Sequence, residues 1–333
     1  MTKGPGTLVL TRRDVRQLLG LDECLSAMES AFRLHAEGRS LGPGVLGIRS
    51  REGGFHIKAA GLESGRLYFA AKTNANFPGN PRRFGLPTIQ GVIVLCDGDD
   101  GRPLAVMDSI EVTLRRTAAV TALAARHLAL PDAATATVCG CGMQGRAQLR
   151  ALARVLPLSR VYAYDTESGR ADVYARELST ELSIDVRAVR DHAEASLATQ
   201  VWLTCTPSRA AFLRREQVAP GAFVAAVGAD SEDKQELDPA LMAKATIVVD
   251  ILDQCATIGD LHHALEAGSV RREDVHAELA DLVVGRKPGR TRRDEITVFD
   301  STGTALQDVA AAAAVYEGAV AAGVGRNVRL GEE

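Results

Sequence analysis

Large rings are scarce in this chain. Phenylalanine, tryptophan and tyrosine make up 4% of its 333 residues, and there is a single tryptophan. An all-β sandwich is disfavoured by that shortage, whereas abundant Ala, Gly, Val and Leu suit helices packed closely on a parallel sheet. An excess of one charge is also missing: 39 Lys+Arg stand against 42 Asp+Glu, for a net charge of −3. No global positive field is available to hold a polyanion, so neither nucleic acid nor a membrane surface is an expected partner. The basic runs Arg82-Arg83 and Arg286–Arg293 read as solvated loops. Six cysteines, Cys24, Cys96, Cys139, Cys141, Cys205 and Cys255, include no C-x-x-C pair. They are too few for a disulfide framework in a chain this long and read as reduced thiols. No window reaches about 18 uninterrupted apolar residues, and Met1–Thr11 lacks the pattern of a secretion signal, so a cytoplasmic protein is expected.

What is present suffices for two domains or one large α/β unit, since 46% of the residues are hydrophobic. From Thr11, a capping residue, to Arg39 the apolar positions Val15, Leu18, Leu19, Leu25, Met28, Phe32 and Leu34 recur at helical spacings, predicting two helices that open the chain. Between Gly44 and Asp97 the pattern changes to short β-rich runs, 54–58, 67–73 and 88–96, separated by Gly, Pro and Asn turns. Asp97–Gly101 is a tight turn into 104–107, hence a hairpin. An Ala-rich helix over 111–130 follows. From Ala134 strands and helices alternate, the mark of a doubly wound parallel sheet. After a last strand at 295–299 comes an Ala-rich helix over 304–322, poor in charge and expected to pack against the first domain or a partner subunit.

Gly140-Cys141-Gly142-Met143-Gln144-Gly145 fits G-x-G-x-x-G and sits where a strand ends and a helix begins. There the glycines let the backbone approach a pyrophosphate at a helix N-terminus. About twenty residues on, at the end of the next strand, Asp165 can accept hydrogen bonds from both ribose hydroxyls and repel a 2′-phosphate, which argues for NAD over NADP. Thr204-Cys205-Thr206-Pro207 and Val227-Gly228-Ala229-Asp230 follow later strands and are expected to face the cofactor, the first on its adenosine side and the second on its nicotinamide side.

Further stretches carry a resemblance. Ala71-Lys72-Thr73-Asn74, Gly85-Leu86-Pro87-Thr88, Pro103–Asp108, Arg116-Thr117-Ala118-Ala119, the glycine loop, Val227–Asp230 and Phe299-Asp300-Ser301-Thr302-Gly303 together resemble the ornithine cyclodeaminase/μ-crystallin family, from about Val45 to Gly325. The resemblance implies an α/β fold in which a Rossmann-type doubly wound parallel sheet, residues 126–303, is inserted in a second, α+β domain for substrate binding and dimerisation, residues 1–125 plus 304–333. It implies a homodimer and hydride transfer at the Cα–N bond of a small α-amino or α-imino acid. Arg116 falls on the family arginine that holds the substrate carboxylate, a task for a planar bidentate donor. Lys72 matches a lysine near the reacting carbon and Asp230 an aspartate beside the nicotinamide. Thr88 and Ser301 lie in matched stretches and are expected on the substrate and the cofactor, respectively.

Two positions depart from the cyclodeaminase pattern. His56 stands near a family glutamate that accepts the distal ammonium of ornithine, and Lys58 near a family methionine. Like charges at ~4 Å repel by about 4 kcal/mol at an effective dielectric of about 20, so ornithine is not the expected substrate. An upstream family arginine aligns near Val45, leaving Arg49 or Lys58 as substitutes. His56 and Lys58 share one face of a strand. If that face is the pocket, the site is rich in cations and suits an acidic side group; if it faces solvent, the two form an exposed edge. His262-His263 and His276 lie in a Leu/Ala helical stretch without spaced acids or cysteines, so no metal is expected. The leading reading is an NAD-dependent amino-acid dehydrogenase or imine reductase. A cyclodeaminase that recycles NAD internally is the alternative, and a nucleotide-binding protein without catalysis is the third.

Overall fold

In the computed structural model, which describes residues 6–330, the chain opens with a short strand, β1 (Thr7–Leu10), where the sequence had pointed directly to helices. Residues 1–5 and 331–333, the ends of the expected first domain, lie outside the described residues. Nothing local specifies β1: its partners are distant, Leu8 opposite Ala105 in parallel and Thr7 opposite Val328 in antiparallel pairing. The two expected helices follow. Helix α1 (Arg12–Leu18) is capped by Thr11 and Asp14, which bond each other's backbone N–H reciprocally. Helix α2 (Leu21–Ala36) buries Cys24, Leu25, Met28, Ala31, Phe32 and Leu34 along one stripe.

A meander then runs through β2 (Ser40–Ser50), β3 (Gly53–Ser64) and β4 (Arg66–Asn76), a short helix α3 (Asn80–Phe84), and β5 (Ile89–Asp97) and β6 (Pro103–Asp108). Consecutive strands pair antiparallel. Arg82 and Arg83 therefore belong to an exposed helix rather than a loop. Strand β2, almost wholly exposed, has no inward-facing periodicity and escapes a reading based on burial. Helix α4 (Ser109–Leu128) begins where Asp108 accepts the Glu111 N–H.

The alternating region contains β7 (Thr135–Cys139), α5 (Met143–Val155), β8 (Arg160–Tyr164), α6 (Ser168–Leu182), β9 (Asp185–Ala188), β10 (Val201–Thr204), β11 (Arg209–Leu213) and β12 (Phe223–Ala226). It continues through β13 (Gln235–Leu237), α7 (Pro239–Met242), β14 (Thr246–Val249), α8 (Leu252–Ile258), α9 (Asp260–Glu266), β15 (Ala277–Glu278), α10 (Leu279–Val283) and β16 (Thr297–Asp300). Eight of these strands form one parallel sheet in the order β15-β14-β16-β12-β10-β7-β8-β9, and β11 pairs separately with β13. Trp202, Phe223 and Phe299 are fully buried in this core. Arg290, expected in a solvated loop, is half-buried and donates to the carbonyls of Leu128, Ala222 and Glu295 and to Thr297. Its guanidinium ties the end of α4 to the starts of β12 and β16, and only the folded chain brings those acceptors together.

The chain ends with α11 (Ala305–Ala322) and β17 (Arg326–Val328). Contacts gather into two units, one running to Thr117 and resuming at Thr304, the other Ala118–Gly303. The first boundary falls inside α4. In the first unit, α11 packs on α2 and on β3 and β4 of a sheet ordered β17-β1-β6-β5-β4-β3-β2.

Candidate active site

The glycine loop lies in the second unit, between β7 and α5. Each glycine has a separate reason. Gly140 has φ of +102°, a region that side chains avoid. A Cβ on Gly145 would strike the Gly140 carbonyl, whereas one on Gly142 would meet nothing within 4 Å. The protein itself does not need a glycine at Gly142, and the space left there fits the close approach of a pyrophosphate. Met143 and Gln144 start α5, whose free N–H groups favour an anion. Asp165 holds the loop, accepting the Cys141 N–H at 2.9 Å and the Glu167 N–H at 3.0 Å. A carboxylate has about four acceptor sites, so ribose hydroxyls can share it.

Strand order reverses at β7, which lies between β8 and β10, so the loop after β10 belongs to the same crevice. The added Cβ of Gly140 would lie 2.7 Å from the Cys205 carbonyl. Thr206, followed by Pro207, donates through its N–H and its hydroxyl to Glu236 at 2.6 and 2.7 Å, and the Gly228 N–H donates to the other oxygen of Glu236 at 2.8 Å. This buried glutamate, unremarked in the sequence, ties the two strand-end loops together. Val227, next to Gly228 in the chain, is buried. Ser301, also buried, points its hydroxyl at Asp250. Asp230 is exposed and ion-paired with Lys234 at 2.6 Å.

The remaining buried acids of this unit serve backbone. Asp260 accepts the N–H groups of Glu236 and Leu237, and Asp300 those of Asp260 and Leu261. Burial pushes the Asp300 carboxyl up to about 7 and raises those of Asp260 and Glu236. His262, His263 and Glu266 bring donor atoms within 4.8 Å of one another, but the His263 Nε2 is 2.9 Å from the Lys234 carbonyl and so is engaged as a donor.

In the first unit, β3 and β4 place Lys58 directly opposite Lys72, both buried. The strand face left open by the sequence is therefore the inward one, and His56 on the same side is half-buried, opposite Asn74. Lys72 Nζ lies 2.7 Å from Asp308 Oδ2, and Arg116 Nε donates to Asp308 Oδ1 at 3.1 Å. Arg116 Nη1 donates to Gln307 at 2.7 Å, while its Nη2 has no partner among the described residues. Asp308 and Gln307 are carried by the first turn of α11, where Thr304 caps the helix and the dipole favours an anion. Burial alone would raise the Asp308 carboxyl, but Lys72 and Arg116 outweigh it and hold it below the usual range. For Lys72, burial is again the largest effect, and with repulsion from Arg116 and Lys58 it brings the ammonium down to about 7 against the pull of Asp308. Lys72 can thus exchange a proton near neutrality while Arg116 remains a cation.

Asp308 and Gln307 were missed from the sequence because the helix reads as apolar. The available signal was an acid, Asp308, standing just before the alanine run 310–314. Arg49 is not gathered into this cluster: it is exposed on β2, at the register of Gly54. Thr88, half-buried, precedes β5 and accepts the Phe77 N–H through its carbonyl.

Residues 6–323 match the model of the ornithine cyclodeaminase/mu-crystallin family. The chain belongs to that family. Within the family, the alanine dehydrogenase of Archaeoglobus fulgidus is 38% identical over 97% of this chain and 98% of its own length. A solved archaeal alanine dehydrogenase dimer with bound NAD superposes with a TM-score of 0.93 at 38% identity, covering 97% of this chain and 99% of that one. The Δ1-pyrroline-2-carboxylate reductase of Thermococcus litoralis, solved with NADH and L-proline, gives 0.92 at 31% identity, covering 97% and 100%.

Proposed function

We propose that this chain is an NAD-dependent oxidoreductase acting at the Cα–N bond of an α-amino or α-imino acid. The unit Ala118–Gly303 is assigned to the dinucleotide and the other unit to the substrate. The observation that carries this reading is the buried triangle of Lys72, Asp308 and Arg116. It offers a guanidinium donor, Nη2, for a carboxylate, and beside it an amine that gains and loses a proton near pH 7. Gly140, Gly142 and Gly145 with the start of α5 would hold the pyrophosphate, and Asp165 the ribose. NAD bound there supplies the acceptor for the hydride that leaves Cα. In the oxidative direction Lys72 takes the amine proton, and the amino acid and NAD yield the imino acid, NADH and one proton. Asp308 keeps Lys72 and Arg116 in register for this. The similarity to alanine dehydrogenase and to a pyrroline-carboxylate reductase supports the same chemistry.

A homodimer is part of the reading. Leu46 and Ile48 on β2, Phe55 on β3, Phe69 on β4 and Val92 on β5 are exposed, and their register and alternation put them on the sheet face opposite to Lys58 and Lys72. A contiguous apolar face of that kind marks an interaction surface. The test of function is a panel of L-amino acids supplied with NAD while NADH and ammonia are followed together. Stoichiometric NADH is the expected result; ammonia without NADH would make the chain a cyclodeaminase, and neither product would leave a binding protein.

A further inference from the structure

We propose that Gln307 is a second holder of the substrate α-carboxylate, its side-chain amide nitrogen donating to one oxygen while Arg116 takes the other. This deepens the oxidoreductase reading and rests on it. Gln307 sits in the first turn of α11 and is fully buried. Its Oε1 accepts from Arg116 Nη1 at 2.7 Å. A guanidinium can only donate, so this contact fixes which end of the amide faces Arg116 and leaves Nε2 as the free end. Nε2 is buried and has no hydrogen-bond partner among the described residues. Buried donors in native folds are nearly always satisfied, and one left over calls for an acceptor from outside the chain. The side chains of the buried triangle cannot supply it. Lys72 and Arg116 carry donors only, and the two oxygens of Asp308 are engaged by Lys72 and Arg116. Arg116 Nη2 lacks an acceptor among the described residues too. Two planar groups already joined at 2.7 Å therefore each keep one unused donor. A carboxylate matches that pair, because it has two oxygens, accepts without donating and carries the charge that Arg116 attracts. A carboxamide in the same place has only one such oxygen.

The experiment takes the L-amino acid that yields most NADH in the panel above, and its carboxamide, and measures initial rates in wild type, Gln307→Glu and Gln307→Met. In parallel, the thermal midpoint is recorded with each amino acid of the panel and no nucleotide, which reports binding without turnover. Gln307→Glu keeps the acceptor that Arg116 uses but replaces the free donor with a carboxylate oxygen; Gln307→Met removes both. KM for the amino acid is expected to rise about tenfold in Gln307→Met and about a hundredfold in Gln307→Glu, with kcat changed less than about threefold. The first figure suits a lost hydrogen bond to a charged group, the second a carboxylate facing a carboxylate. Gln307→Glu should also shift kcat/KM toward the carboxamide, whose N–H its new oxygen accepts. Amino acid should raise the midpoint of wild type and of neither variant. A wild-type KM in Gln307→Glu overturns the assignment, because a residue that only anchors Arg116 is rescued by glutamate. So does a change confined to kcat or its pH dependence, which would place Gln307 at the amine or behind Lys72. Either result leaves the oxidoreductase standing. Should Gln307→Glu not fold, an unchanged KM in Gln307→Met overturns the assignment, and a raised KM with kcat kept supports it. A midpoint rise that both variants lose, with no NADH from any amino acid, keeps the carboxylate site and sinks the oxidoreductase. Neither rise nor NADH sinks both.

Discussion

In the first unit Lys58, Lys72 and Arg116 are buried around Asp308, whereas in Ala118–Gly303 the buried charged side chains among the described residues are all acids: Glu236, Asp250, Asp260 and Asp300. The acids solve a problem internal to the fold. Each accepts backbone N–H groups from loops at strand ends, as Glu236 does from Thr206 and Gly228. Burial raises the carboxyls of Glu236, Asp260 and Asp300, so a protonated carboxyl can sit among them at modest cost. Lys72 and Arg116 share one acid, Asp308, and Arg116 keeps a donor unused among the described residues. Buried charge that saturates itself supports structure, while buried charge with a surplus suits a ligand.

Substitutions test that contrast. The largest effect is expected at the surplus: Lys72→Ala or Arg116→Ala should cut kcat/KM by about a thousandfold, measured as NADH formation, while wild-type oxidation rises with pH through about 7 as Lys72 loses its proton. Next, Asp308→Asn strands buried cations and should cost about 3–5 kcal/mol of stability by denaturant unfolding. Because Asp308 raises the Lys72 pKa, its loss should also move the acid limb of the rate profile to lower pH.

Within the acidic unit, the glycines separate packing from binding. Gly145→Ala should cost about 1–3 kcal/mol by overpacking. Gly142→Ala should leave stability within about 0.5 kcal/mol yet weaken NAD in calorimetric titration by about tenfold. Asp165→Ser should weaken NAD more than NADP; equal losses would remove the basis for the NAD preference.

The smallest effects are slopes of the thermal midpoint with pH, and they should run in opposite directions. Asp300 has a folded pKa raised to about 7. Its stabilisation is complete below the unfolded value of about 4 and is lost as pH climbs through 7. Lys72, lowered to about 7, binds fewer protons folded than unfolded between there and its ordinary value, so stability recovers with pH in that range. Asp300→Asn should flatten the lower slope and Lys72→Met the upper one, by a few degrees each.

Much of this was legible before folding. The capped helix at Thr11, the hairpin at Asp97–Gly101, the strands Thr135–Cys139 and Arg160–Tyr164 and the helix Ser168–Leu182 follow from local signals. The exposed edge strand β2 does not, because it has no inward-facing periodicity, nor do β1 and β17, whose hydrogen-bond partners are far away in sequence. Lys72, Arg116 and the glycine loop stood out by residue type and order; Asp308, Gln307 and Glu236 did not, since each is defined by what it touches. The sequence by itself determined the nucleotide loop, the alternation that builds the parallel sheet, and the family, all carried by short-range spacing. Only the tertiary structure decided that Lys58 turns inward, that one aspartate from the last helix binds both Lys72 and Arg116, and that Gly142 opens on free space. Those depend on which strand faces which, and burial is what converts ordinary charges into perturbed ones.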